Sequence, residues 1–491
     1  MSDLLGLIPA AGKGVRARPY THMIPKGMLE IKGTPNLQRI ISIMRDDLGI
    51  KSIFIVIGYH GAHIKNYFGD GSKFGVKITY IENDALEKGL AYSILLAKDY
   101  IDDYFCVMLS DECYIHSNHE ELSSFPYKCG LATCAIMNVD DRGLIQRNYS
   151  VEVEGTRIVK LVEKPETITN DILGCGTFIF SPGLFQLLEQ RFLQVNMGYV
   201  EFITFIDELC RKGEKIFYFN LEGTYVNIND RDSLNLAKYY ERSKNFERNK
   251  ISLLIYSEGD EENIAFAVRR YKELKFINDI YVILPCANSI EKIVDSCGVS
   301  TIKCPPGVQL YGEKLKFAME NVPGDILILS EADYSFPSRD VLKLLAYLRE
   351  ADMVVGTRTT RQLIEQGATM RGIVRIGNVI LAKLLEVLWW NYEGRFTDVG
   401  CTLRAIWKSA FDDIKDDLSS KGPGFSAEMM IEILSARKKV IEIPVNYFNT
   451  SQSMQRKYRN LNTFFIIFFL ICKKKIRHIL SKMKIQNNGR I

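Results

Sequence analysis

The chain has 491 residues, 47% of them hydrophobic and 25% charged, a balance that excludes disorder and exceeds what one ordinary core accommodates, so two or three globular domains are expected. The net charge of +4 hides an asymmetry: residues 456–491 hold ten Lys/Arg and no Asp/Glu, leaving the remainder at 53 basic against 59 acidic residues. A basic nucleic-acid-binding protein is disfavoured, since the charge lies in an apolar-interrupted tail with no recognition module beside it, and no nucleic-acid partner is expected. The eleven cysteines are scattered, without a CxxC pair or zinc spacing. With no secretory leader ahead of the first apolar run, they read as reduced thiols of a cytoplasmic protein.

The first apolar run, Leu4–Pro9, breaks into Ala10-Ala11-Gly12-Lys13-Gly14 and is followed by Arg16, Arg18 and Lys26. A buried strand giving way to small residues marks a close approach of backbone to ligand. Exposed glycine N–H groups wrap phosphate and three cations neutralise more than one charge, so this stretch predicts a nucleoside-triphosphate loop. A lone Gly-x-Gly would equally suit a plain strand–turn–helix with surface cations. No Gly-Lys-Ser/Thr closes the loop and a third dinucleotide glycine is missing, which excludes a Walker loop and a dinucleotide fingerprint. A helix is expected over Pro35–Asp47, strands over Ser52–Gly58 and Val76–Ile81, a helix over Ala91–Tyr100 and a strand over Tyr104–Leu109. This alternation predicts an α/β fold with its ligand at the carboxyl ends of the strands. The last strand runs into Ser110-Asp111-Glu112. A carboxylate there suits a Mg2+ (or Mn2+) ion against the triphosphate, and also suits a simple helix cap.

Ala10-Ala11-Gly12-x-Gly14-x-Arg16, with Pro19, Thr21 and Pro25-Lys26, resembles the signature of sugar-phosphate nucleotidylyltransferases. Gly69–Ile81 with Lys88–Ala91 is similar to the base-facing loop of the thymidylyl and uridylyl members, with Tyr92 where many carry Gln or His. Val162-Glu163-Lys164-Pro165 resembles their E-K-P motif, and Gly174–Phe180 the strand after it. The resemblance spans residues 3–242. It implies an NTP (dTTP or UTP, with CTP left open) and a sugar 1-phosphate as substrates, held by Ala11, Gly12, Gly14, Gly89, Tyr92 and Gly176. It further implies Arg16 on the leaving pyrophosphate, Lys26 on the triphosphate, Asp111 on the metal, Glu163 on sugar hydroxyls and Lys164 on the sugar phosphate. Gly223–Leu234 puts Asn227 at the second metal position, with Asp230 three residues on. The attacking phosphate is already anionic, so positioning and charge neutralisation suffice without a general base.

Glu241–Lys250 is polar and charged and reads as a linker over 243–249, between domains at 1–242 and 250–455. Alternation then resumes: strands Ile251–Tyr256 and Ile280–Pro285, a helix from Lys314, and a strand over Asp325–Leu329 that ends in Ser330-Glu331-Ala332-Asp333. Two carboxylates at a strand end both reach a divalent ion bridging a diphosphate. With Val355-Gly356-Thr357-Arg358, Arg371–Asn378, Thr397–Arg404, Gly424–Glu428 and Glu442–Val445 following in order, this half resembles inverting family-2 glycosyltransferases of the dolichol-phosphate mannosyltransferase type. Glu331 replaces the first aspartate of their D-x-D, and Leu284-Pro285-Cys286-Ala287-Asn288 stands in place of their Asp-Asp-Gly-Ser turn.

Together the resemblances imply two Rossmann-like (GT-A type) domains with mixed, mostly parallel sheets. For the second they imply a nucleotide-sugar donor, a polyprenyl phosphate or glycan acceptor, and a metal on Glu331 and Asp333. Arg358, Arg371, Arg375, Arg404 and Glu428 would contact substrates, while Asp333 and Asp398 would be catalytic, Asp398 as the base toward a hydroxyl acceptor. In the tail, the nine apolar residues Phe464–Cys472 precede Lys473-Lys474-Lys475. Crossing a bilayer takes roughly 20 apolar residues. The run instead suits a helix lying on an anionic membrane, peripheral on its inner face, or one packed on its own domain with a basic end. The leading functional expectation is a bifunctional enzyme whose first domain makes a nucleotide sugar that the second transfers. The alternatives are a nucleotidylyltransferase carrying a non-catalytic module, and a cytidylyltransferase acting on a non-sugar phosphate.

Overall fold

Two units divide the chain, Met1–Glu241 and Arg242–Ile491. A computed structural model describes residues 4–18, 20–257, 261–284, 294–366, 368, 370, 372–390, 394–448 and 461–488. Pro19, residues 285–288 and Arg371, on which parts of the sequence reading rest, lie outside the described residues, as do residues 449–460.

The first unit begins with β1 (Leu5–Pro9), α1 (Asn36–Asp46), β2 (Ser52–Ile57), β3 (Lys77–Glu82), α2 (Gly89–Leu95) and β4 (Phe105–Met108). In α1, Leu37, Ile40, Ile41 and Met44 recur at helical spacing and all are buried, which fixes the face laid on the sheet. All four residues of β4 are buried, the continuous apolar run expected of a strand covered on both faces. There follow β5 (Glu112–Ile115), β6 (Ala132–Asn138), β7 (Tyr149–Glu154), β8 (Arg157–Glu163), β9 (Ile172–Phe180), α3 (Gly183–Gln194), α4 (Phe202–Arg211), β10 (Ile216–Asn220), β11 (Thr224–Asn227) and α5 (Arg231–Ser243). Nine strands form one sheet in the order β3-β2-β1-β4-β9-β6-β10-β8-β7, and β11 pairs with β5 in a separate ribbon. Large apolar clusters cover the two faces of the nine-stranded sheet.

The sheet expected to be mostly parallel is more evenly mixed here. β1, β2, β3 and β4 run parallel, as do β6 and β10. β9 is antiparallel to β4, β6 and β7, and β8 is antiparallel to β7 and β10. For the β7–β8 pair the physical reason is the connection: Glu154 faces Arg157 across a tight turn at Gly155, φ 58°, and so short a link joins only antiparallel strands.

The second unit comprises β12 (Ile251–Tyr256), α6 (Glu261–Lys272), β13 (Asp279–Leu284), β14 (Ser300–Lys303), α7 (Tyr311–Asn321), β15 (Ile326–Glu331), α8 (Asp340–Leu348), β16 (Met353–Thr357), α9 (Gly372–Leu388), β17 (Arg404–Trp407), α10 (Phe425–Ser435), β18 (Val440–Pro444) and α11 (Leu461–Asn488). Its seven-stranded sheet has the order β14-β13-β12-β15-β17-β16-β18. β17 runs antiparallel to both its neighbours and the other pairings are parallel. The segment read as a linker without a buried face contributes Phe246 to this unit's core. In the tail, Ile467 and Ile471 of α11 belong to the same core. A regular helix turns these apolar residues onto one side, which the linear sequence does not display.

Candidate functional site

β1 and β4 are adjacent and parallel, with Leu7 opposite Val107, so the turns after them open side by side. Between them lies a cavity of about 400 Å3 lined by Ala11, Gly12, Gly14, Arg16, Lys26, Asn83, Gly89, Ser93, Asp111 and Asn229, among others. Gly14 adopts φ 56°, and a Cβ on it would lie 3.2 Å from the side chains of Lys26 and Thr21. Glycine therefore allows the turn to close on Lys26. Thr21 Oγ1 donates to the Gly14 carbonyl at 2.7 Å and pins the loop. A Cβ on Gly12 would meet nothing within 4 Å, so its backbone stands open to the cavity.

The charged groups converge. The Lys26 ammonium pairs with the Asp111 carboxylate and donates to Asn229 Oδ1 at 2.9 Å. Arg16 Nη2 donates to the same oxygen at 2.8 Å. Ile228 N–H donates to the Asp111 carbonyl at 2.8 Å, which ties the end of β11 to the end of β4. Asn229 is held in turn by its N–H to Ser233 Oγ, 2.9 Å, at the start of α5.

Asn229, two residues beyond the Asn227 read for the second metal position, is the asparagine that lines this cavity with Asp111. Asn227 Nδ2 donates to Asn148 Oδ1 at 2.7 Å, and its own Oδ1 is buried without a hydrogen-bond partner among the described residues. The Asn148 carbonyl accepts the Lys164 N–H at 2.7 Å, and Lys164 itself sits at φ 45°, a backbone strained for a residue with a Cβ. Asn227 thus braces the E-K-P turn. The clue in the sequence is the repeat Asn227-Ile228-Asn229: strand alternation would put both asparagines on one face, but the strand ends at Asn227, so Asn229 is free of that pattern.

Glu163 and Lys164 form an ion pair at 2.7 Å at the end of β8. Burial raises the Glu163 carboxyl above its ordinary range, with the Lys164 hydrogen bond opposing. Tyr92 packs edge-on against Phe192, with the Lys88 ammonium 4.6 Å from its ring centre. Gly176 serves a different purpose from the expected substrate contact. Its N–H donates to Glu112 at 2.6 Å, and a Cβ there would lie 2.5 Å from that carboxyl. Glu112 also accepts from Tyr114 and Tyr225, and burial pushes it up to about 7. Glu112, Asn229, and the pair Asn83–Ser93 (2.9 Å) behind the base-facing loop are contributors the sequence reading missed. Tyr199 is another: it lies over Gly89, where a Cβ would meet its ring at 2.6 Å.

Among the described residues no group of three or more His, Cys, Asp or Glu could hold a metal ion. Asp111 and Asn229 nevertheless present two oxygens that already share one cation, the Lys26 ammonium. One or two protein oxygens completed by phosphate oxygens is the habit of Mg2+, so the residues present fit that ion.

In the second unit, Glu331 ends β15 opposite Tyr256, and Asp333 is buried and accepts from the N–H and hydroxyl of Ser335. Arg358 meets Asp398 through two bonds of 2.8 and 2.9 Å, Asn378 donates to the same carboxylate at 2.6 Å, and Arg375 Nε donates to the Thr359 carbonyl at 2.9 Å. Arg358, Arg375 and Asp398 are thus brought together, but the base role read for Asp398 is corrected. It is fully buried; burial raises its carboxyl, yet the charge and hydrogen bond of Arg358 hold it below the usual range, which makes it a poor proton acceptor. Arg404, read as a substrate contact, is buried with its guanidinium on the carbonyls of Ser426 and Cys401. Glu428, read likewise, is buried against Ser419, Ser420 and Lys474. Both are side chains whose polar atoms hold the fold together.

The nucleotidyl transferase family profile matches residues 5–228. A UTP--glucose-1-phosphate uridylyltransferase, AglF, of Haloferax volcanii is 30% identical over 229 residues, 46% of this chain and 93% of that protein. From the same organism, the low-salt glycan biosynthesis nucleotidyltransferase Agl11 is 31% identical over 44% of this chain and 60% of its own length. The bifunctional protein GlmU of Methanocaldococcus jannaschii is 30% identical over 45% of this chain, which spans 50% of that relative. Through its first unit, whose glycine turn, Lys26 and Asp111 surround one cavity, the chain belongs to the nucleotidyl transferase family.

Proposed function

We propose that the first unit joins an NTP, UTP or dTTP with CTP also open, to a sugar 1-phosphate, releasing pyrophosphate and a nucleotide sugar. The observation that carries this reading is the convergence of Gly12, Gly14, Arg16, Lys26, Asp111 and Asn229 on one cavity. In this reading a phosphate oxygen of the sugar 1-phosphate attacks the α-phosphorus in line, forming one P–O bond as the bond to pyrophosphate breaks. Backbone N–H groups of the glycine turn and Lys26 hold the triphosphate, and Arg16 takes the charge building on the departing pyrophosphate. Glu163 accepts from sugar hydroxyls and Lys164 pairs with the sugar phosphate. Asp111 and Asn229 would hold Mg2+ (or Mn2+), which supplies charge neutralisation at the phosphates. A matrix of hexose 1-phosphates against the four NTPs, read by pyrophosphate release, tests the reading; silence with every sugar and release with phosphocholine would replace it by a non-sugar cytidylyltransferase.

For the second unit we infer transfer of a sugar from a nucleotide sugar to a polyprenyl phosphate or glycan acceptor. It is supported by the carboxylates Glu331 and Asp333 at the end of β15; Arg375, and Arg358 if released from Asp398, would supply cations toward an anionic acceptor. One chain would then make and use the same nucleotide sugar at high local concentration. Joint replacement of Glu331 and Asp333 by alanine should abolish sugar transfer while pyrophosphate release persists. If the unaltered chain transfers no sugar to any acceptor, the second unit is a non-catalytic module.

A further inference from the structure

We infer that α9 and α11 of the second unit together form a docking face for an anionic lipid bilayer. The two helices lie side by side and parallel. A Cβ on Gly377 would sit 3.3 Å from the Phe464 ring, and eleven residues further along each helix Lys475 Nζ reaches the Leu388 carbonyl. α11 is anchored from below: Ile467 and Ile471 are buried, and Lys474 pairs with Glu428 and Glu432, each at 2.6 Å. This leaves the opposite sides outward, and they are apolar. On α9, Ile373, Ile376 and Ile380 are 84%, 59% and 52% exposed; on α11, Phe465, Phe469 and Ile476 are 50%, 65% and 59% exposed. Trp390, at the end of α9, is 60% exposed with the Arg395 guanidinium 5.1 Å from its ring. Scattered exposed apolar residues need no explanation, but two adjacent helices presenting aligned apolar stripes do.

Charge selects the occupant. Leu461–Asn488 contains six Lys/Arg and no Asp/Glu; Lys474 is turned inward, while Lys473 and Arg477 are exposed within the apolar stripe of α11, Arg477 beside Asp417 at 3.1 Å. On α9, Glu386 is already paired with Lys383 and Arg395. A second copy of this chain would bring cations against cations across a two-fold interface. An anionic bilayer complements both the apolar stripes and the cations, and Trp with snorkelling Lys/Arg belongs at its polar boundary. No helix among the described residues is long and apolar enough to cross a membrane, so the face lies along the surface. The inference does not rest on sugar transfer, since none of the exposed side chains that form the face has a role assigned to it in that reading.

The test is co-sedimentation of the full chain with vesicles of phosphatidylcholine alone and with added phosphatidylglycerol, at low and high salt. Binding is expected only to the anionic vesicles and should weaken with salt. Lys473→Ala should lower partitioning about fivefold, and Ile373→Asp and Phe469→Asp each about tenfold, with thermal melting of every variant unchanged because these side chains are exposed. Equal binding to neutral vesicles would overturn the inference, as would full binding by Ile373→Asp, which would leave α11 acting alone. So would a concentration-dependent dimer in light scattering that Phe469→Asp dissolves, since a second copy would then cover the face.

Discussion

Replacing Asn229 by alanine removes the oxygen that accepts from both Arg16, at 2.8 Å, and Lys26, at 2.9 Å. Hydrogen bonds to charged groups contribute about 1.5–3 kcal/mol each. Lys26 keeps Asp111 as a partner, and the Arg16 contact is solvent-exposed, so the combined loss is set at about 2 kcal/mol, roughly 30-fold in kcat/KM for the NTP. Asn227→Ala should behave differently. It removes the brace on Asn148, whose carbonyl holds Lys164 in its left-handed turn, so KM for the sugar phosphate should rise several-fold while KM for the NTP stays constant. Asn229→Asp should shift the Mg2+ titration of activity to lower concentration by adding a carboxylate beside Asp111. The assay is continuous pyrophosphate release with each substrate varied in turn. If Asn227→Ala impairs NTP use more than Asn229→Ala, or Asn229→Asp leaves the metal titration unmoved, the assignment of these two asparagines fails.

Gly89→Ala should cost activity at least tenfold, because a Cβ meets the Tyr199 ring at 2.6 Å on a backbone at φ 80°. Tyr199→Ala in the same chain should restore part of that activity, and the absence of any rescue would deny the contact. Arg358→Met leaves the buried Asp398 carboxylate without its cation, a loss of about 3–5 kcal/mol that should lower the melting temperature of the second unit markedly in differential scanning calorimetry. Burial, aided by the neighbouring Asp398 charge, pushes Glu442 up to about 7. A carboxyl raised on folding contributes stability fully below its unfolded range, and that contribution is lost as pH rises through about 7. Melting of the second unit should therefore fall from pH 5 to pH 8 by an amount that Glu442→Gln flattens; a parallel fall in the variant would refute this.

Local chemistry made much of the first unit legible from sequence. A strand that dissolves into small residues and then cations has few uses besides phosphate, and the apolar runs Leu5–Pro9 and Phe105–Met108 form strands near the expected places. Asn229 was hidden because its neighbour two residues earlier offers the same chemistry, and only the folded chain brings Asn229 into the cavity lining. Asp398, Arg404 and Glu428 looked like site residues because charged side chains in ordered motifs suggest ligands. Burial turned them inward, where each needs internal partners to offset desolvation.

The tail shows the division most sharply. Its composition alone marked an apolar run flanked by lysines, suited to a membrane surface or to packing on its own domain. Tertiary structure decided which side of the helix is left outward, because Lys474 is drawn inward by Glu428 and Glu432 while Phe465 and Phe469 stay exposed. It also supplied a second helix, α9, whose exposed isoleucines no linear pattern placed beside the tail. Sequence sets which residues a chain has to bury or pair; only packing, which satisfies some of them and leaves others to solvent, determines where the remaining surface lies.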